Sequence, residues 1–138
     1  MTVWDLVVGQ LVVSSMRDAA REAATLDADD QAASGAMTHA WLVTGPPGSG
    51  RSVMARAFAA ALQCPQAGCG ECAECDSTRA GTNPDVRIVR AVRLSYGVDE
   101  ARELVTWTAQ KPPVGRYRIV VIEDADRLTE QAANALLK

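Results

Sequence analysis

The sequence is poor in the features that would place it in a membrane or in the secretory pathway. No run of apolar residues approaches the roughly 18 that a membrane-spanning helix needs. The first ten residues, MTVWDLVVGQ, contain an acid and no basic residue, so we predict no secretion signal and a cytoplasmic protein with no membrane partner. The net charge of −3 also argues against attraction of nucleic acid to the whole surface.

Histidine and aromatic residues are scarce as well. His39 is the only histidine, and because no serine or cysteine constellation accompanies it, we interpret it as a structural hydrogen-bonding residue rather than a catalyst. The three tryptophans, Trp4, Trp41 and Trp107, are scattered along the chain. We therefore expect them to pack in the core and not to form a platform for stacking bases.

The 138 residues are enough for one domain, and helical and strand patterns alternate along them. Helical spacing of apolar residues predicts a first helix within residues 11–33, on the positions Leu11, Val12, Met16, Ala19, Ala20 and Ala23. The patterns that follow predict a strand at 39–45, a helix at 50–64, a strand at 85–92, a helix at 98–111, a strand within 115–126 and a helix from Thr129. This alternation predicts an α/β fold with a parallel sheet flanked by helices.

A glycine-rich loop, GPPGSGRS, lies between the first predicted strand and the second predicted helix. Such a loop cradles phosphates with successive backbone N–H groups, and the positive N-terminus of the following helix adds to the attraction. We expect its last serine to ligate Mg²⁺. The candidate ATP-binding residues are Gly45, Pro46, Pro47, Gly48, Ser49, Gly50, Arg51 and Ser52.

Arg51 stands where this loop normally carries a lysine. Lysine is a compact point charge, whereas arginine is a longer planar fork, so the exchange is not conservative at a tight site. We expect Arg51 to keep the positive charge that phosphate needs but to be poorly placed for phosphoryl transfer.

Two acids, Glu123 and Asp124, end the last predicted strand, with Asp126 beyond them. A phosphate-loop protein that hydrolyses ATP needs two carboxylates here, one to bind the magnesium ion and one to polarise the attacking water. The usual order is Asp then Glu, and the reversed order moves both carboxylates. We therefore predict weak or absent hydrolysis; the alternative is that these are solvated acids at a strand end.

All four cysteines, Cys64, Cys69, Cys72 and Cys75, fall within twelve residues with the spacing C-x4-C-x2-C-x2-C. In a cytosolic chain this spacing favours one tetrahedral metal ion over disulfides, and zinc with a structural role is the first choice. An iron–sulfur cluster and unmetallated thiols remain the alternatives.

Together, VVGQ, HAWLVTGPPGSGR, the four-cysteine segment, NPDV, VDEARELV and VVIEDADRLTEQAANALLK resemble the clamp-loader AAA+ subunits of bacterial DNA polymerase III. The resemblance covers nearly the whole chain and is stronger to the delta prime subunit of high-GC bacteria than to the gamma/tau motor subunit. It implies that residues 1–138 are an N-terminal AAA+ nucleotide-binding domain of RecA-like architecture, with a zinc-binding insert at 63–84 and the lid and collar domains lacking.

The resemblance also implies roles for individual residues and partners. Val8 and Gly9 match the adenine-side motif, residues 45–52 the triphosphate loop, and Glu123 and Asp124 a degenerate Walker B pair. The four cysteines match the zinc ligands, although their first gap is shorter than in the motor subunits. The implied partners are the gamma/tau and delta subunits, the sliding clamp, and primed DNA reached through the assembly.

Three hypotheses compete. The first is a non-motor subunit of the delta prime type, which the loop arginine and the reversed acids favour. The second is an active gamma/tau motor, which the otherwise intact loop supports. The third is a zinc-ribbon nucleic-acid binder, but the cysteine segment contains Glu71 and Glu74 and no basic residue, which disfavours contact with phosphates.

Overall fold

The computed structural model describes residues 1–7, 13–25, 40–91, 98–113 and 116–136. These residues form two compact units, 1–82 and 83–138, with helices in the first and helices around a sheet in the second. No helix in the described part is long and apolar enough to cross a membrane.

The first unit is built around helix α2. It contains a 3-10 helix at Val3–Leu6, α1 at Val13–Thr25, α2 at Arg51–Gln63 and α3 at Ala73–Ala80. Helix α2 carries the alanine-rich sequence RSVMARAFAAALQ, which suits a helix, and it packs against the 3-10 helix, α1 and α3. Of the apolar positions that predict α1, the four that are described are all buried, namely Met16, Ala19, Ala20 and Ala23; Leu11 and Val12 lie outside the described residues.

The second unit holds a parallel pair of strands, β1 at Val86–Arg90 and β2 at Ile119–Glu123, in the register Val86↔Ile119 to Arg90↔Glu123. Parallel strands need a crossover connection, and helix α4, Val98–Ala109, lies between them in the chain. A 3-10 helix at Ala125–Arg127 and helix α5 at Glu130–Leu136 follow β2. The predicted α/β class and these elements are confirmed, and Thr129 caps α5 by accepting the Ala132 N–H at 3.2 Å.

The strand expected at 39–45 is not present. Residues 40–45 form no strand, and Leu42 keeps 82% of its surface exposed. A strand exists only where a neighbouring strand takes its N–H and C=O groups, and the described residues of the first unit contain helices alone. The sequence prediction at this segment was therefore wrong.

The cysteine segment also contains a helix that the sequence pattern does not predict. Helix α3 begins after Cys72, whose Sγ accepts the Cys75 N–H, and it ends at Gly81, which adopts a left-handed conformation with φ +75°. Sulfur is not among the usual N-cap acceptors, which are serine, threonine, aspartate and asparagine. The cap signal was therefore invisible to a sequence reading.

We predict that Leu104→Ala lowers the free energy of unfolding by about 2 to 5 kcal/mol, the usual cost of truncating a buried leucine. Leu104 of α4 forms the core of the second unit with Ala132, against side chains of β1, β2 and α5. Chemical denaturation of the full chain, followed by circular dichroism, measures the change. Glu103→Ala, at an exposed position of the same helix, is the control and should change it by less than about 0.5 kcal/mol; equal losses would contradict the core assignment.

Candidate metal centre and phosphate loop

The four cysteines converge at the end of α2 and the start of α3. Cys64 follows the last residue of α2, Cys69 lies in the connecting loop, Cys72 caps α3 and Cys75 is in its first turn. All are free thiols, and their sulfur atoms lie within 4.8 Å of one another. The structure thus brings together the whole cysteine set that the spacing predicts.

The distances between the sulfur atoms suit a tetrahedral ion. The Sγ atom of Cys64 is 3.7 Å from that of Cys69 and 3.6 Å from that of Cys72. Zinc–sulfur bonds of about 2.3 Å in a tetrahedron separate their sulfurs by about 3.8 Å. Four such ligands would leave no coordination position open, so a bound ion would serve the structure and not catalysis.

Backbone N–H groups point at the sulfur atoms. Cys64 Sγ accepts the N–H of Gln66 at 3.3 Å and that of Cys69 at 3.4 Å, and Cys69 Sγ accepts the N–H of Glu71 at 3.5 Å. Hydrogen bonds of this kind stabilise thiolates, which are the form of cysteine that binds metals.

Ala67, Gly68 and Gly70 make the loop turn tightly enough for these bonds, since all three have positive φ.

The thiols differ in how readily they lose a proton. Burial raises the pKa of Cys64, but the N–H groups of Cys69, Gly68 and Gln66 outweigh it and lower that pKa to about 7. Burial raises the pKa of Cys72 to about 11, and the Cys64 and Cys69 thiols add to the rise. The pKa of Cys75 is also raised, chiefly by burial. A cation held among the sulfurs would favour the ionised form of Cys72 and Cys75 near neutral pH.

The phosphate loop leads directly into α2. Gly48 and Gly50 have φ of +79° and +83°, in the left-handed region that glycine adopts without steric cost. Ser49 N–H donates to the Pro46 carbonyl at 3.2 Å, and Met54 N–H makes the first bond of the helix to the Gly50 carbonyl at 3.0 Å. As at any helix start, the N–H groups of the first turn are not used within the helix.

The side chains at the end of the loop differ in exposure. Arg51 is the first residue of α2 and is half-buried, and Ser52 beside it is exposed. A Cβ on Gly45 would lie 2.8 Å from Ser49 Oγ, so a larger residue there would require the Ser49 side chain to move. The turn and the helix start that the sequence predicts around Arg51 are therefore present, while the strand that should precede them is not.

The two acids of the second unit stand in different surroundings. Glu123 ends β2 with only 10% of its side chain exposed, and its Oε2 lies 3.9 Å from Nε of Arg90, its register partner on β1. Asp124 is exposed and left-handed, with φ +56°, and it starts the 3-10 helix that follows. Asp126, within that helix, is also exposed. One of the two predicted catalytic carboxylates is thus engaged in an ion pair.

The remaining predictions concern the adenine-side pair, the histidine and the tryptophans. Val8, Gly9 and His39 lie outside the described residues. Trp4 and Trp107 are buried, and Trp41 meets Phe58 edge-on at 5.2 Å between ring centroids. Trp4 and Trp107 therefore pack as expected, whereas Trp41 keeps 37% of its surface exposed.

Sequence reasoning missed two residues that act at these sites. The strand register places Arg90 of β1 opposite Glu123 of β2, where the two form an ion pair. The alternating pattern of DVRIVR is compatible with such a pairing, but it does not name the partner strand. Arg79 of α3 donates from Nη2 to the Gly70 carbonyl at 3.0 Å and so holds the cysteine loop. No local pattern signals that bond.

Comparison with known proteins points to one family. Residues 21–138 match the family model described as "DNA polymerase III, delta subunit". The chain is 37% identical over 106 residues to DNA polymerase III subunit delta' of Pseudomonas aeruginosa, an alignment that covers 72% of this chain and 32% of that protein. It is 35% identical to subunit delta' of Escherichia coli over 106 residues, with the same coverage.

A second kind of relative matches about as well. The chain is 35% identical over 109 residues to DNA polymerase III subunit gamma/tau of Mycobacterium bovis, covering 75% of this chain and 19% of that protein. No solved structure matches the chain. The chain spans about a third or less of the length of these relatives. The resemblance stated from the motifs is confirmed at this level: the chain belongs to the DNA polymerase III, delta subunit family.

Proposed function

We propose that this chain is the nucleotide-binding domain of a clamp-loader subunit of the delta prime kind. Such a subunit would help to load the sliding clamp on primed DNA and would hydrolyse ATP weakly or not at all. Family membership supports the clamp-loader part. The relatives do not choose between subunit types, because delta' and gamma/tau proteins match at 37% and 35% identity. The chemistry of the candidate site is what supports the delta prime kind.

The observation that carries the non-motor assignment is the ion pair between Glu123 and Arg90. A metal-binding or water-activating carboxylate has to offer its oxygens to the ion or the water. Glu123 instead faces a guanidinium on the neighbouring strand, 3.9 Å away. The neighbouring acid, Asp124, is exposed and precedes the 3-10 helix with a left-handed backbone.

Arg51 supports the same assignment from the phosphate side. It retains a charge beside the loop N–H groups, so binding of a triphosphate is compatible with the loop. Transfer of the terminal phosphoryl group depends on positioning and on charge stabilisation in the transition state, where a longer planar group is a poor replacement for lysine. We infer that ATP with Mg²⁺ can bind in the loop at residues 45–52 while turnover is weak.

The active gamma/tau motor is the second candidate. It is favoured by the match to a gamma/tau subunit over 75% of this chain and by the glycine geometry of the loop. In either case the proposed partners are other clamp-loader subunits, the sliding clamp, and primed DNA contacted through the assembly.

We propose zinc as the ion of the cysteine cluster. Four thiolates with sulfurs about 3.6 to 3.7 Å apart suit a single tetrahedral Zn²⁺. The ion would be held by Cys64, Cys69, Cys72 and Cys75 and would supply structure only. An iron–sulfur cluster remains the competing occupant.

We expect calorimetric titration of Mg-ATP into the chain to show binding that Arg51→Ala weakens at least about tenfold, because a charged hydrogen bond to phosphate contributes roughly 1.5 to 3 kcal/mol. Arg56→Ala, a change at an exposed arginine on the same helix, is the matched control and should leave the affinity unchanged. Absence of binding by the unmodified chain would show that the loop is retained as architecture alone.

For hydrolysis, we predict that the triple variant Arg51→Lys, Glu123→Asp, Asp124→Glu raises ATP turnover at least about tenfold, since each exchange restores the group that phosphoryl transfer uses. Turnover is measured in a loader reconstituted with neighbouring subunits whose own ATP sites are inactivated. The same acid exchange with Arg51→Ala is the control. Unchanged turnover in the triple variant would refute the argument from the altered site.

Zinc binding should occur with one ion per chain and release about 2.5 protons or more at pH 7. Cys72 and Cys75 have raised pKa values and give up whole protons, while Cys64, with a pKa of about 7, gives up about half. Affinity should therefore fall as the pH falls. Calorimetry in two buffers of different ionisation enthalpy counts the protons; Cys72→Ser should abolish binding and Ser77→Ala should not. Visible absorption from iron in the purified chain would contradict the assignment.

A further inference from the structure

We propose that the cysteine loop is also the docking site for the N-terminal segment, residues 1–7, so that metal binding and docking of this segment stabilise each other. The inference rests on the metal centre proposed above. The segment and the loop are far apart in sequence, because the hydrogen bond from Trp4 to Ala67 joins residues 63 positions apart.

The segment is attached to the loop by two hydrogen bonds to adjacent carbonyls. Val3 N–H donates to the Gly68 carbonyl at 3.1 Å, and the indole Nε1–H of Trp4 donates to the Ala67 carbonyl at 2.9 Å. Val3 and Trp4 are 3% and 5% exposed, so both contacts are shielded from water. Buried hydrogen bonds of this kind are costly to leave unmade.

The glycines of the loop let the segment approach closely. A Cβ on Gly68 would lie 2.5 Å from Cγ2 of Val3, and a Cβ on Gly70 would overlap the carbonyl oxygen of Met1. Both glycines have positive φ. The segment therefore fits the loop only in the turn that also gathers the cysteines.

A single peptide group connects the segment to the metal site. The peptide between Gly68 and Cys69 receives the Val3 N–H on its oxygen, and through the Cys69 N–H it donates to Cys64 Sγ at 3.4 Å. A metal-bound thiolate would strengthen the bond on the sulfur side and fix the plane of the peptide, which in turn orients the carbonyl towards Val3. Docking of the segment orients the same peptide from the other side.

Trp4 extends this connection into the helices of the first unit. Its ring lies 6.5 Å from the Phe58 ring of α2 between centroids, and the Arg17 guanidinium of α1 lies 5.6 Å from its centroid. Order in the cysteine loop is thus coupled to an aromatic contact with the helix that begins at the phosphate loop. Because coupling between two binding events is reciprocal, a change in docking must alter zinc affinity by the same factor.

The test is zinc affinity in Trp4→Phe, which keeps a ring but removes the Nε1–H. Competition with a chromophoric chelator at constant pH should show zinc binding about five- to tenfold weaker than in the unmodified chain, within the usual range of coupling. Trp41→Phe is the matched control, because Trp41 also contacts Phe58 and makes no hydrogen bond to the loop among those described. Its zinc affinity should change less than about twofold.

A second measurement needs no variant. Hydrogen exchange on the unmodified full chain should show the amides of Val3, Asp5 and Val7, all hydrogen-bonded in the docked segment, exchanging at least about tenfold faster after zinc is removed. Peptides from α4 in the second unit should exchange unchanged. Equal exchange with and without zinc, or equal zinc affinity of the Trp4 and Trp41 variants, would overturn the coupling while leaving the metal centre intact. Failure of the unmodified chain to bind zinc would overturn both.

Discussion

The crowding of four thiols at one point is the constraint on which the first unit depends. Their sulfurs lie within 4.8 Å of one another, close enough that ionising one thiol opposes ionisation of the next. Burial raises the pKa values of Cys72 and Cys75, and the neighbouring Cys64 thiol adds to both rises. A dication would remove that opposition. Two of the proposed ligands also lie at helix ends: Cys64 follows the last residue of α2, and the Sγ atom of Cys72 caps α3. The local chain path and the proposed ligand set are therefore one feature.

Helix α2 places the two candidate sites of the first unit at its opposite ends. Its 13 residues span about 20 Å, from Arg51 after the phosphate loop to Gln63 before the first cysteine. Between these ends it buries Met54, Phe58 and a run of alanines against the neighbouring helices and the N-terminal 3-10 helix. A metal ion at one end would fix the position of the helix whose other end is the proposed phosphate site. It would do so without touching the nucleotide.

Local patterns predicted most of the elements, and contacts that depend on distant partners escaped them. Helical periodicity in α1 and α4, valine-rich β1 and β2, and the Thr129 cap are local signals, and the structure confirms each. The cysteine set was predicted because four metal ligands within twelve residues leave few ways to close on an ion. Residues 40–45 look equally like a strand, yet a strand needs a neighbour that local sequence does not supply. The bond from Trp4 to Ala67 joins residues 63 apart, and no sequence periodicity encodes it.

The reversed order of the two acids has a structural reason in the second unit. Position 123 is the register partner of Arg90, and glutamate there reaches to 3.9 Å from the Arg90 Nε atom; aspartate would be one methylene shorter. Position 124 has φ +56°, and aspartate enters this left-handed region more readily than glutamate. Glutamate followed by aspartate is thus the order that the ion pair and the turn both favour. Each acid thus fits its local surroundings, Glu123 in an ion pair across the strands and Asp124 in a left-handed turn.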